Sequence, residues 1–202
     1  MPEAQDKKEN PRFDHTVIVE LVDPNSKVLD LGCGDGTLLS LLIAQKNCHG
    51  TGIEIDEKAI YKCVANGLTV SHGDIDTGLA DFSSKRFDYV LLNESLQQVL
   101  NPRRVILESL RVGKKVIVGI PNFCHSWARF QLFFQGRVPV TKELPYQWYD
   151  TPNLRFLSLK DFRCFCKENG INILKEVGIV GNSKILFRPN LFSNIGIYLL
   201  EK

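Results

Sequence analysis

The chain of 202 residues has no CxxC pair among its six cysteines, Cys33, Cys48, Cys63, Cys124, Cys164 and Cys166. That argues against both a zinc ribbon and a disulfide framework. It has no apolar run long enough to span a bilayer, and the polar opening Met1 to Asn10 lacks the hydrophobic region of a signal peptide. An excess of one charge is missing too: a net charge of +2 with 24% charged residues gives no basic stripe for nucleic acid and no bias towards a membrane surface. Internal repeats and low-complexity tracts are absent. These absences predict a soluble, reduced, cytoplasmic protein with neither a nucleic-acid nor a membrane partner. The length suits a polar tail over 1–10 followed by a single domain over 11–202 with one sizeable core.

What is present begins at Val28-Leu29-Asp30-Leu31-Gly32-Cys33-Gly34-Asp35-Gly36. The apolar residues before the turn predict a buried strand, and Leu38, Leu39, Leu41 and Leu42 predict a helix after it. The glycines are then a strand-to-helix turn, where positive φ or close backbone approach is needed and free N–H groups are expected to face a ligand. A dinucleotide site requires Gly-x-Gly-x-x-Gly. Here the third glycine comes one residue early, at Gly36, and Thr37 stands where that pattern needs glycine. Asp30 would repel a pyrophosphate and suits a cationic group instead. The run Asp-x-Gly-x-Gly-x-Gly resembles motif I of the class I S-adenosylmethionine (SAM) dependent methyltransferases, whose ligand carries a sulfonium and an ammonium.

Around this unit the chain alternates. Phe13, Val17, Ile18, Leu21 and Val22 predict a helix over one end of the cradle, stopped by Asp23-Pro24-Asn25. Gly50 to Asp56 reads as a second strand ending in acids, with a helix from Glu57 to Asn66 and Gly67 as its stop. Glu54 at that strand end is placed to accept hydrogen bonds from ribose hydroxyls. A short third strand, Leu68 to His72, closes at Gly73-Asp74-Ile75-Asp76, where Asp74 is the adenine contact, a carboxylate being acceptor-only. His72 reads as a strand residue rather than a base. Phe87 to Leu92 is a fourth strand, and Asn93-Glu94 leaves it on the ligand side of an open α/β sheet. Glu94 is either an acid/base group or an N-terminal helix charge. A helix from Pro102 to Gly113, a strand from Lys114 to Ile120, a helix starting at Ser158 with Asp161 at its third position, and strands at Ile171 to Val180 and Ile195 to Leu200 complete the series. The expected fold is α/β, a doubly wound, mostly parallel seven-stranded sheet with an antiparallel closing strand. The expected cofactor-binding set is Asp30, Gly32, Cys33, Gly34, Gly36, Glu54, Ile55, Asp74, Ile75 and Asn93.

The stretch 121–156 is too long for a plain crossover and carries Trp127, Trp148, Tyr146, Tyr149, Phe123, Phe130, Phe133 and Phe134 with Arg129, Arg137 and Lys142. It reads as a substrate lid or a docking surface, while Phe130, Leu132, Phe133 and Phe134 could equally bury a helix against the core. Motif I, Glu54, Gly73-Asp74, Arg111-Val112-Gly113, Pro121-Asn122-Phe123, Gly136-Arg137-Val138-Pro139-Val140-Thr141 and the run Leu144 to Asn153 together resemble the methionine biosynthesis protein MetW family, over roughly 11–180. The resemblance implies a class I methyltransferase fold, SAM or S-adenosylhomocysteine as cofactor, and a role in methionine synthesis beside a homoserine O-acyltransferase. Two functions stay open: a SAM-binding partner that supports the acyltransferase, and a catalytic methyltransferase acting on a small-molecule acceptor.

Overall fold

The computed structural model describes residues 12–77, 79–141 and 143–202; the expected polar tail over 1–10 and Lys142 of the aromatic segment lie outside them. The chain runs α1 (Phe13–Leu21), β1 (Lys27–Leu31), α2 (Thr37–Lys46), β2 (His49–Glu54), α3 (Glu57–Ala65), β3 (Val70–His72), β4 (Phe87–Asn93), α4 (Pro102–Val112) and β5 (Gly113–Pro121). It continues with α5 (Ser126–Phe130) and a π-helical turn at Gln131–Gln135. Then come α6 (Leu159–Glu168), β6 (Asn172–Val180), β7 (Ser183–Ile185), the short α7 (Pro189–Phe192) and β8 (Ile195–Glu201). The sheet order is β3-β2-β1-β4-β5-β8-β6-β7. The first five strands pair in parallel, and β8, β6 and β7 close the sheet antiparallel.

Side-chain alternation along the central strands divides the core by face. Leu29 and Leu31 of β1 and Val90 and Leu92 of β4 pack with Ile106 and Leu110 of α4 and Leu159 and Phe162 of α6. Val28, Tyr89 and Leu91 pack on the other face with Val17 and Ile18 of α1 and Leu39 and Leu42 of α2. The sheet is therefore wound on both faces, as the alternating pattern predicts. It has one strand more than the seven expected. Val180 pairs with Ser183 across the two residues Gly181-Asn182, with Gly181 at φ 53°, and this tight hairpin adds a three-residue edge strand.

Helix ends follow their sequence signals. Asp56 caps α3 through the Lys58 N–H, and at α6 Ser158 and Asp161 form a reciprocal capping box. Ser158 is buried, and its removal takes away the acceptor of the Asp161 N–H. Ser158→Ala is expected to cost about 1 to 2 kcal/mol. A thermal melt should read this as a fall in Tm of about 2 to 8 °C.

Candidate functional site

Strand order reverses between β1 and β4, and in open α/β sheets the crevice beyond such a reversal is where ligands bind. A cavity of about 200 Å³ lies there. Its walls include Asp30, Gly32, Cys33 and Gly34 from the end of β1 and its turn, Asn93 and Glu94 from the end of β4, and Arg12 and His15 from α1. Asp30 is parallel in register with Gly52 and Leu91 and points to the α1 side of the sheet, as Val28 does.

Two glycines are required here by geometry. Gly34 has φ 56° with open space where a Cβ would stand. At Gly36, φ 79° coincides with a Cβ position 2.2 Å from Leu68 Cδ1 and 2.9 Å from Cys63 Sγ, so the turn packs directly on the segment after α3.

Most of the N–H groups expected from the sequence to be free are engaged, and among the described residues only the Asp35 N–H of the turn has no partner. Gly32 and Cys33 donate to the Ile53 carbonyl, Gly36 donates to Cys33, and Thr37 donates to Asp35 Oδ1. The Gly34 N–H donates to Glu54 Oε2 at 2.8 Å. Glu54 Oε1 accepts from Ile55 and Asp56 at 2.7 and 3.0 Å. Of the roughly four lone-pair positions of that carboxylate, about one is left for a ligand hydroxyl. With the Gly34 donor held by Glu54 and a second acid, Asp30, on the wall, the turn disfavours a pyrophosphate.

Asp30 is 3% exposed. Burial, with the Glu54 charge adding to it, pushes its pKa up to about 7. A cation beside it would restore ionisation, which is the fit a sulfonium or ammonium supplies. Burial also pushes the Cys33 thiol upwards, with Asp30 adding to it, so Cys33 is a protonated, apolar piece of wall.

The α1 wall is polar and tightly connected. Arg12 bonds Asp14 at 2.8 Å and pairs with Glu94, and Asn93 Nδ2 donates to Asp14 Oδ2 at 2.9 Å. Burial opposes ionisation of Asp14, but the Asn93 hydrogen bond and Arg12 together hold its pKa below the ordinary value. Burial lowers the His15 pKa against the pull of Asp14, and raises that of Glu94 against the pull of Arg12. His15 Nδ1 and Asn93 Oδ1 are buried without a partner. No helix starts at Glu94, which sits at φ 56° in a turn, so the helix-charge alternative does not apply.

Of the expected set, Asp30, Gly32, Cys33, Gly34 and Asn93 meet on the cavity, and Glu54 joins them through Gly34. Gly36 backs the turn from outside. Ile55 is exposed at the end of β2, Asp74 is exposed beyond β3 and accepts from the Asp76 N–H, and Ile75 leans on the α4 side of the core. These last three are not cavity walls. They lie along the strand ends that a ligand longer than the cavity would follow. Arg12, Asp14 and His15 were not singled out from the sequence. Their signal is a charged run at the head of an otherwise apolar helix.

The expectation that Phe130, Leu132, Phe133 and Phe134 bury a helix is resolved by the inward side of α5, which is Ala128 and Gln131. Gln131 holds that side by bonding both the N–H and the carbonyl of Val140. All four apolar residues face outwards, Phe133 being 83% exposed.

Because the folded Asp30 binds its proton more tightly than an ordinary carboxyl, stability falls as pH rises from about 4 to 7 and stays reduced above that. Asp30→Asn should therefore stabilise the ligand-free protein by about 2 kcal/mol or more at alkaline pH, with the gain vanishing in acid; denaturant titrations across pH read it. Glu54→Ala orphans three N–H groups at once. It should cost about 2 to 4 kcal/mol of stability by the same titration, besides any effect on binding.

The fold accords with comparisons to known proteins. A SAM-dependent methyltransferase of Thermotoga maritima superposes with a TM-score of 0.66 at 17% identity, covering 93% of this chain and 87% of that one, which places the fold among the class I methyltransferases. A ubiquinone biosynthesis O-methyltransferase of Pseudomonas fluorescens is 34% identical over 164 residues, 77% of this chain and 68% of that protein. The bifunctional methionine biosynthesis protein MetXA/MetW of Rhodopirellula baltica is 34% identical over 173 residues, 81% of this chain. The chain spans 28% of the length of that bifunctional relative. The family model described as methionine biosynthesis protein MetW matches residues 12–200, so the chain belongs to the MetW family.

Proposed function

We propose that this protein binds SAM or S-adenosylhomocysteine along the ends of β1 to β4 and acts in methionine biosynthesis as the supporting partner of a homoserine O-acyltransferase. The observation that carries the cofactor is Asp30, a buried carboxyl with raised pKa beside a turn whose Gly34 N–H is already held by a second carboxylate, Glu54. In this reading Asp30 holds the cationic amino-acid end, Glu54 accepts from a ribose hydroxyl, and Asp74 accepts from the adenine amino group. Gly34 leaves room for the close approach, and Ile55, Ile75 and Asn93 flank the nucleoside and the amino-acid end. The cavity encloses about 200 Å³, below the 300 to 1,000 Å³ typical of whole-ligand pockets, so it takes the amino-acid end while the nucleoside follows the strand ends outwards.

Support for the partner comes from the R. baltica relative, whose name joins MetXA and MetW on one chain, and from the outward aromatics of 121–156. Trp148 is 74% exposed and meets Tyr149 edge to face, a side-chain type and geometry that binding hot spots favour. A second reading, small-molecule methyl transfer, is favoured by His125: burial lowers its pKa against the pull of Glu143, and its Nε2 has no partner.

Calorimetry with SAM at pH 8 and pH 6 should show affinity roughly tenfold lower at the acid value, because Asp30 must ionise to meet the cation. Asp30→Asn should remove that dependence, and NAD should not bind. Tight NAD binding, or SAM affinity independent of pH and of Asp30→Asn, sinks the cofactor assignment. Separately, homoserine O-acyltransferase of the same cell should co-purify, and Trp148→Ala should weaken the complex by about 2 kcal/mol with an unchanged melt. Failure to co-purify with SAM binding intact moves the function to the methyltransferase reading.

A further inference from the structure

A second, apolar cavity of about 370 Å³ lies between α4 and α6, on the sheet face opposite α1 and α2. Its volume falls in the range of small-molecule sites. Leu96, Ile106, Phe156, Leu157, Phe162 and Phe165 supply its apolar walls.

Its charged groups are Arg103, Arg155 and Asp161. The Asp161 carboxylate accepts from the Ser158 N–H and hydroxyl through Oδ2, and its single negative charge stands against two guanidinium groups. Each guanidinium is held by neutral acceptors instead. Arg155 donates to the carbonyls of Leu154 and Leu100, both at 3.0 Å, and Arg103 Nε donates to Asn169 Oδ1 at 3.0 Å. Among the described residues neither has a carboxylate within 4.0 Å. A guanidinium carries five N–H donors, so both keep their charge and unused donors at the edge of an apolar slot.

We propose that this groove is a second ligand site, separate from the cofactor crevice, which takes a small amphipathic monoanion. An apolar body of about ten heavy atoms lies against Phe156, Phe162 and Ile106, and a carboxylate meets Arg103 and Arg155. Charge complementarity selects the anion: an apolar ligand without the acid leaves both guanidinium groups unpaired, and a cationic one is repelled. The assignment stands independently of the SAM reading, since the two sites share no wall residue.

The test is titration of the intact protein, with SAM absent and then present, using octanoate, 3-phenylpropionate and 1-octanol, followed by calorimetry and by amide chemical shifts. Saturable octanoate binding is expected, with 1-octanol at least tenfold weaker and with shifts centred on residues 103–106 and 155–165. Stronger binding of 3-phenylpropionate identifies the anion as aromatic, and stronger octanoate binding identifies it as aliphatic; both outcomes support the site. The double variant Arg103→Gln with Arg155→Gln should lose at least tenfold in octanoate affinity at an unchanged melting temperature. Phe156→Ser, which acts on the apolar wall, should weaken both anions without touching the charges. Equal affinity for octanoate and 1-octanol, no saturation at millimolar concentration, or shifts centred on Asp30 and Gly34 would overturn the proposal.

Discussion

The carboxylate of Glu54 accepts from Gly34 across the β1–β2 gap and from Ile55 and Asp56 at its own strand end, so one side chain sets the path of two loops. Gly34 lies on the turn that leads into α2, and Asp56 is the cap of α3. The shape of the crevice therefore depends on a buried charge rather than on packing alone. Hydrogen bonds to a charged acceptor are individually stronger than neutral ones, and losing the acceptor strands its donors. The same contacts decide which ligand the turn can accept. A helix N-terminus is ordinarily an anion site, but ahead of α2 the Gly34 N–H is held by Glu54 and the Thr37 N–H by Asp35, so an anion there meets two carboxylates.

Much of this was legible in the sequence. The β1–turn–α2 unit showed because an apolar run, alternating glycines and a leucine-rich periodic stretch are all local signals. Gly67 and Ser158 marked helix ends for the same reason, each acting within a few residues of itself. Contacts that bridge distant segments were not legible. Asp14 and Asn93 are 79 positions apart, and nothing near either announces the hydrogen bond between them. The state of the turn's N–H groups was hidden likewise, since the Gly34 partner comes from the next strand. β7 was missed because a three-residue strand with two exposed side chains has no apolar alternation to detect.

Segment 121–156 was identified by composition, and only its orientation needed the structure. A helix bearing Phe130, Phe133 and Phe134 on one side would normally bury that side. Here the buried side is Ala128 and Gln131, because Gln131 bonds the Val140 backbone and fixes the rotation of the helix. The aromatics are left to pack on one another: Trp127 stacks on Phe130 at 5.1 Å, and Phe130 meets Phe134 at 4.9 Å. A polar anchor inside and a mutually packed aromatic face outside give a surface that keeps its shape before anything meets it, which lowers the ordering cost of association.

Charge around the crevice runs against that of the chain as a whole. The sequence carries a net +2, yet the acids at or beside the cavity are Asp30, Asp35, Glu54, Asp14 and Glu94, against Arg12 as the one permanently charged base on its walls among the described residues. His15 adds little positive charge near neutral pH, because burial lowers its pKa. Arg12 is itself spent on Asp14 and Glu94, which leaves Asp30 and Glu54 without a cation partner among the described residues. Two like charges held close together are tolerable only if one stays protonated or a cation arrives, and the raised pKa of Asp30 is the first of those solutions. At an effective dielectric of about 20, a unit positive charge about 4 Å from one carboxylate gains about 4 kcal/mol, most of it offset by desolvation of the ligand. On the SAM reading, that gain is larger for a ligand bearing both a sulfonium and an ammonium than for one bearing the ammonium alone. The Asp30 charge, which costs stability when no cation meets it, would then be the group that distinguishes a methyl-bearing ligand from its demethylated form.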